Sequence, residues 1–169
     1  RVFSNYGIFL NEIGKHKESE LKLKKAISLN PKYANAYYNL AVVFIGQGNL
    51  EKAELELKKA IKLKSDFAIA HYNLGFILKD KGRFKEAESH TQKALEFDPQ
   101  LTDAYLSLST MQGVDKSQKW HDQLFSENIL KNKNNRELVN IFFARSNIFH
   151  RKGKYQAVSY THLRAHETS

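Results

Sequence analysis

The 169-residue chain contains no cysteine, which rules out disulfides, a thiolate nucleophile and any cysteine-ligated zinc site. That suits a reducing compartment, and the cytoplasm is the expected location. Only two prolines and eight glycines are present, too few for a long disordered segment beside 41% hydrophobic and 27% charged residues. No apolar run approaches the roughly 18 residues that a membrane span needs. The nucleophile elbow G-x-S-x-G, the phosphate loop and the dinucleotide fingerprint G-x-G-x-x-G are also missing. Residues 157–169 being set aside for the reason given below, His16, His71, His90, His121 and His150 remain and stand at no metal-ligand spacing. The sequence therefore offers no catalytic residues, no metal site and no cofactor.

What the chain has in excess is positive charge, +9 at neutral pH. The lysines cluster on what read as second helices, as in Lys22, Lys24, Lys25 and again Lys58, Lys59, Lys62, Lys64. Glu18, Glu20, Glu51, Glu54, Glu56, Glu86 and Glu88 are interleaved with them, so surface pairs along a solvated outer face are the expected arrangement. A nucleic-acid partner is disfavoured on that ground.

The chain also repeats itself. Tyr37, Leu40, Ala41, Phe44, Gly48, Ala53 and Ala60 are followed 34 residues later by His71, Leu74, Gly75, Leu78, Gly82, Ala87 and Ala94. Within each unit two apolar stripes at helical spacing flank a glycine, which predicts a helix-turn-helix hairpin. The alanines are small where the paired helices cross most closely, and His71 takes the place of a packed aromatic, so a core imidazole is expected there. Phe3, Tyr6, Gly7, Leu10, Gly14, Leu23 and Ala26 form an earlier unit, with Ser19 in place of an alanine.

Period, small-residue slots and turn glycine together resemble the tetratricopeptide repeat. The resemblance implies an all-α fold, a right-handed α-solenoid, with repeats at about 1–33, 34–67 and 68–101. A fourth first helix runs from Thr102 to Gln112 and closes an array of 1–112. From Gly113 the period breaks. An irregular helix is drawn through Trp120, Leu124, Phe125, Ile129 and Leu130, then a polar turn at Asn132 to Asn135. A further first helix through Leu138, Ile141, Phe142, Ile148 and Phe149, ended by Gly153, completes a degenerate unit over 113–156.

The section from Ala104 through Gln156 resembles the last units before the catalytic domain in bacterial proteins that join these repeats to a C-terminal sulfotransferase domain. The runs "YLSLST", "WHDQLFSENIL" and "LVNIFFARSNIFHRKGKY" carry that likeness. It implies a substrate-presenting arm whose active site lies elsewhere, since the glycine-rich loop for a nucleotide sulfate donor is not in this sequence. Val158 to Thr168 resembles a translated sequencing adapter, and the repeat signal lapses after Gln156. Residues 157–169 are therefore expected to be an artefact, and an opening at Arg1 inside a repeat pattern suggests truncation at both ends.

The candidate binding residues follow from a second periodicity, Asn5, Asn39 and Asn73 at 34-residue spacing. First helices line the inner face of such a superhelix, so these amides are expected in a ladder along a groove. An amide both donates and accepts, and could hold a peptide backbone irrespective of its side chains. A similar ladder occurs in the repeat domain of O-linked N-acetylglucosamine transferase, whose units "YYNLA" and "HYNLG" resemble. The alternative is that each Asn only bridges neighbouring helices. Tyr38, Val42, Tyr72 and Phe76, with Ile8, are expected beside the ladder, giving a partly aromatic lining for a peptide or partner helix. A basic clamp for chaperone tails is disfavoured, because Ser4, Ile8, Asn39, Ile69 and Asn73 occupy its slots. The expected function is a protein-interaction scaffold binding a protein or peptide.

Overall fold

A computed structural model describes residues 1–111, 118–151 and 153. Its helices are α1 (Val2–Glu12), α2 (His16–Leu29), α3 (Ala34–Gly46), α4 (Leu50–Leu63), α5 (Ala68–Asp80), α6 (Phe84–Phe97), α7 (Thr102–Thr110), α8 (Gln118–Phe125) and α9 (Asn135–Arg151), with a 3₁₀ turn at Glu127–Leu130. No strand occurs among the described residues, and no helix among them is long and apolar enough to cross a membrane. Residues 157–169, read as adapter-derived, lie outside the described set.

Each hairpin turns at a glycine in left-handed backbone, with φ of +76° at Gly14, +72° at Gly48 and +72° at Gly82. There the next residue's amide reaches back five positions. Lys15 bonds the Leu10 carbonyl at 2.8 Å, Asn49 that of Phe44 at 2.8 Å, and Arg83 that of Leu78 at 2.9 Å. These bonds satisfy carbonyls that the end of the first helix leaves over, which is why the position needs a residue without Cβ. In the second hairpin Asn49 also caps α4, its side chain accepting the Lys52 amide.

The paired helices α1 and α2, α3 and α4, and α5 and α6 pack tightly, and each second helix then covers the next first helix. The small residues set the approach. A Cβ at Gly75 would lie 2.4 Å from Thr91 Oγ1 and 3.0 Å from the Ala87 carbonyl. Ser19, in the alanine slot, donates to the Gly7 carbonyl at 2.6 Å. One apolar core runs from Leu23 through Leu40, Leu57, Leu74, Leu95 and Leu108 to Leu124, Ile141 and Ile148.

One slot is filled by a tyrosine twice and a histidine once, and all three do the same job. Tyr37 OH donates to the Pro31 carbonyl at 3.0 Å, Tyr105 OH to Pro99 at 3.1 Å, and His71 Nε2 bonds the Ser65 carbonyl at 3.0 Å. In each case the first helix pins the turn six residues earlier. His71 is buried, as its position in the packing pattern implies.

The irregular unit departs from expectation. The single helix drawn through Leu130 stops at Phe125: Ser126 is extended and its hydroxyl accepts the Asn128 amide, starting a 3₁₀ turn instead. The first helix expected to reach Gln112 ends at Thr110, and Met111 is extended. Gln112 lies outside the described residues. What replaces a full second helix is α9 docked directly on α7, with Trp120, Leu124 and Ile129 filling the space.

Candidate functional site

The three asparagines fall on equivalent turns of α1, α3 and α5 because a 34-residue unit returns the chain to the same place on each first helix. Asn39 Nδ2 donates to Ser4 Oγ at 3.1 Å, and Asn73 Nδ2 to Tyr38 OH at 3.5 Å. Both bonds span 35 residues, so each asparagine reaches the residue just before the preceding asparagine. Bridging of neighbouring helices, the alternative read from sequence, is thus realised through the amide nitrogen. The carbonyl oxygen of each accepts nothing from the described residues. Asn5, on α1, is exposed.

The next position in this series is Ser107, whose hydroxyl is buried without a hydrogen-bond partner. A serine is too short to reach back as asparagine does. The inter-helix ties resume on α9, where Asn140 Nδ2 donates to Asp103 at 2.7 Å and Asn147 Nδ2 to Ser109 Oγ at 3.0 Å, both on α7. Sequence reasoning missed these two because a search at 34 residues skips them. The available signal was their seven-residue spacing, two turns on one helix face.

Beside the asparagines the side chains grade from packed to open. Tyr38 is half-buried with its ring 5.0 Å from that of Phe67, so packing between neighbouring helices accounts for part of its area. Burial pushes its hydroxyl pKa up, and the Asn73 hydrogen bond opposes this. Tyr72 is likewise half-buried; burial raises its pKa, the Asp103 carboxylate adds to the effect and Arg136 works against it. Val42 is half-buried, whereas Ile8 and Phe76, its equivalents one repeat away on either side, are 37% and 40% exposed. No charged side chain stands among Ser4, Asn5, Ile8, Tyr38, Asn39, Val42, Tyr72, Asn73 and Phe76.

Charge is concentrated on the second helices, but not all as surface pairs. Glu54 and Glu56 are buried. Glu54 accepts from Lys58 at 2.6 Å on its own helix and, across the junction, from Lys81 at 2.8 Å and Arg83 at 2.9 Å. Burial alone would raise its pKa; the hydrogen bonds from those three cations hold it down to about 2. This carboxylate ties the second repeat to the turn of the third, which an i to i+4 reading of the sequence does not reveal. Among the described residues no group of three or more His, Asp or Glu is placed to hold a metal ion.

The TPR-repeat family matches residues 10–48 and 43–82, and a second tetratricopeptide-repeat match covers 68–101. Comparison with curated proteins gives no match. Among solved structures the chain is similar to MamA, at 22% identity over 96% of this chain and 93% of that one with a TM-score of 0.68. It is similar to PilF of Pseudomonas aeruginosa, at 19% identity over 99% and 75% with a TM-score of 0.73. It also resembles the first TPR domain of Spaghetti (RPAP3) bound to the HSP90 peptide SRMEEVD, at 20% identity over 74% and 92% with a TM-score of 0.61. With its turn glycines, its small-residue slots and a match extending over more than half its length, the chain belongs to the tetratricopeptide-repeat family.

Proposed function

We propose that this chain is a scaffold that holds an extended polypeptide against its first helices, with Asn5, Asn39 and Asn73 contacting the partner's backbone and Tyr38, Val42, Tyr72 and Phe76 packing against its side chains. Proteins of this family generally mediate protein–protein contacts, and a structural neighbour was determined with a peptide bound. The observation that carries the reading is the asparagine series itself. Asn39 and Asn73 use their amide nitrogens on the neighbouring helix, and their carbonyl oxygens stay available to accept a partner's N–H. Each such bond is worth a net ~0.5 to 1.5 kcal/mol, so several rungs are needed for a useful affinity.

The peptide in the RPAP3 neighbour ends in acidic residues. This chain has Ser4, Ile8, Asn39, Ile69 and Asn73 at the slots where basic residues would meet such a tail, so the favoured partner is an uncharged or apolar segment. A peptide array probed with the full chain and with the Asn5→Ala, Asn39→Ala, Asn73→Ala triple variant tests this. The expected result is loss of most bound spots with helicity retained; undiminished binding by a folded triple variant overturns it.

A second reading makes the array the substrate-presenting arm of a longer sulfotransferase. It rests on the likeness of residues 104–156 to the units that precede such domains. Reading the parent gene tests it: a frame that closes soon after Gln156 without a phosphate-loop domain rules it out.

A further inference from the structure

The aromatic slot of the third repeat holds a histidine, and the structure pairs that histidine with a second one. His71 Nδ1 lies 2.9 Å from His90 Nδ1 on α6, with the rings 5.1 Å apart and stacked at 29°. The other nitrogen of His71 bonds the Ser65 carbonyl. A carbonyl can only accept, so His71 carries its proton on Nε2, and its Nδ1 is an acceptor. His90 must then carry its proton on Nδ1 and donate it. The two rings lock each other into opposite neutral tautomers.

We infer that the His71–His90 pair is an acid-sensitive latch, which closes the α5–α6 hairpin at neutral pH and releases it in mild acid. A first proton taken up by the pair leaves a single N–H between the two Nδ1 atoms but charges the pair; a second sets N–H against N–H and breaks the bond. A proton on the far nitrogen of His90 would put a charge in a half-buried site that Lys58 of α4 and Lys93 of α6 already make positive, with the Glu86 carboxylate of α6 opposing them. Phe97 covers His71 at 5.6 Å. Burial lowers the pKa of His71, the Ser65 carbonyl opposing and Lys93 assisting. Burial, then His71 and Lys93, brings that of His90 down to about 4.

The sign follows from linkage. Once unfolded, both rings titrate near the ordinary 6.5, so below that pH the unfolded state binds more protons. The hairpin is at full strength above pH 6.5 and weakens as pH falls toward 4. Tyr72, Asn73 and Phe76 sit on α5, so whatever those residues hold would be released with it. The latch itself does not depend on what the groove binds.

Urea unfolding of the full chain at pH 7.5, 6.5 and 5.5, beside the His71→Tyr, His90→Phe variant, tests the latch. Tyrosine at 71 reproduces the Tyr37 and Tyr105 bond to the turn carbonyl. The unfolding constant of the natural chain should rise about ten- to a hundredfold between pH 7.5 and 5.5 relative to the variant, for one or two protons taken up, with most of the rise below pH 6.5; parallel pH dependence overturns the proposal. Should the variant not fold, nitrogen NMR of the natural chain at pH 6.0 decides instead. Two neutral rings, His71 as the Nε2–H and His90 as the Nδ1–H tautomer, are expected. An imidazolium at either position, or the same tautomer at both, contradicts it.

Discussion

The regular array from α1 to α6 and the irregular unit from α7 to α9 solve one problem with different parts. In the array every first helix is covered by a fourteen-residue second helix, and the spacing between first helices is set by the length of a repeat. In the irregular unit α8 has eight residues and yields to a 3₁₀ turn, and α9 packs on α7 far more closely than α3 packs on α1. Asparagine side chains tie the first helices in both regions, across 35 residues in the array and 37 or 38 in the irregular unit. The contact is therefore a property of helix geometry, and sequence periodicity is only one way to obtain it.

The irregular unit relies on one buried cation. Arg145 on α9 donates to the Leu124 carbonyl at 2.9 Å and to that of Ser126 at 3.2 Å, with its guanidinium 5.6 Å from the Phe125 ring centre. These carbonyls lie at the end of α8, where a positive group is favourable; that of Ser126 also accepts the Ile129 amide at 3.4 Å. Arg145→Ala should thus produce the largest effect, about 2–4 kcal/mol, from the loss of charge-assisted bonds to the Leu124 and Ser126 carbonyls. Hydrogen exchange should show it as lost protection in α9 with the array little changed. Loss spread evenly over both regions would break the distinction drawn between them.

The converse test strikes the array. Gly75→Ala places a methyl against Thr91 and the Ala87 carbonyl of α6, and should cost about 1–3 kcal/mol by overpacking. Thermal unfolding followed by circular dichroism measures this, with exchange in α7 to α9 as the control. Glu54→Gln removes the carboxylate that joins the second repeat to the third. It should cost about 1–3 kcal/mol at neutral pH, as for charge-assisted hydrogen bonds to a buried acceptor. The Glu54 pKa is held near 2 against an ordinary 4.5, so its contribution is present above pH 4.5 and fades as pH falls toward 2. Urea midpoints of the variant and the natural chain should converge over that window.

The smallest effects sharpen the comparison most. Asn39→Ala and Asn140→Ala should each cost only about 0.5–1.5 kcal/mol, and by similar amounts, if the array and the irregular unit use the same tie. A large loss at Asn140 beside none at Asn39 would mean that the two bonds are not equivalent.

Much of the fold was legible because it repeats. Gly14, Gly48 and Gly82 announce positive φ, and Leu40 with Leu74 or Ala60 with Ala94 mark the same buried points of successive hairpins. The break after Phe125 was not, since Ile129 and Leu130 continue an apolar spacing that a helix or a 3₁₀ turn can both satisfy. Asn39 and Asn73 could be singled out from sequence, but not how their nitrogens are used, because Ser4 and Tyr38 meet them only after stacking. The Glu54 cluster and the His71–His90 pair were invisible for the same reason. Their partners lie 19 to 29 residues away and share no motif.

The measurement that bears most directly on the binding role is a side-chain and backbone NMR titration of the full chain with an uncharged peptide selected on the array. Shifts are expected in the Asn39 and Asn73 amide groups and in Tyr38, Tyr72 and Phe76. Shifts confined to Lys58, Lys59 and Lys62 on α4, with the asparagines unmoved, would contradict it.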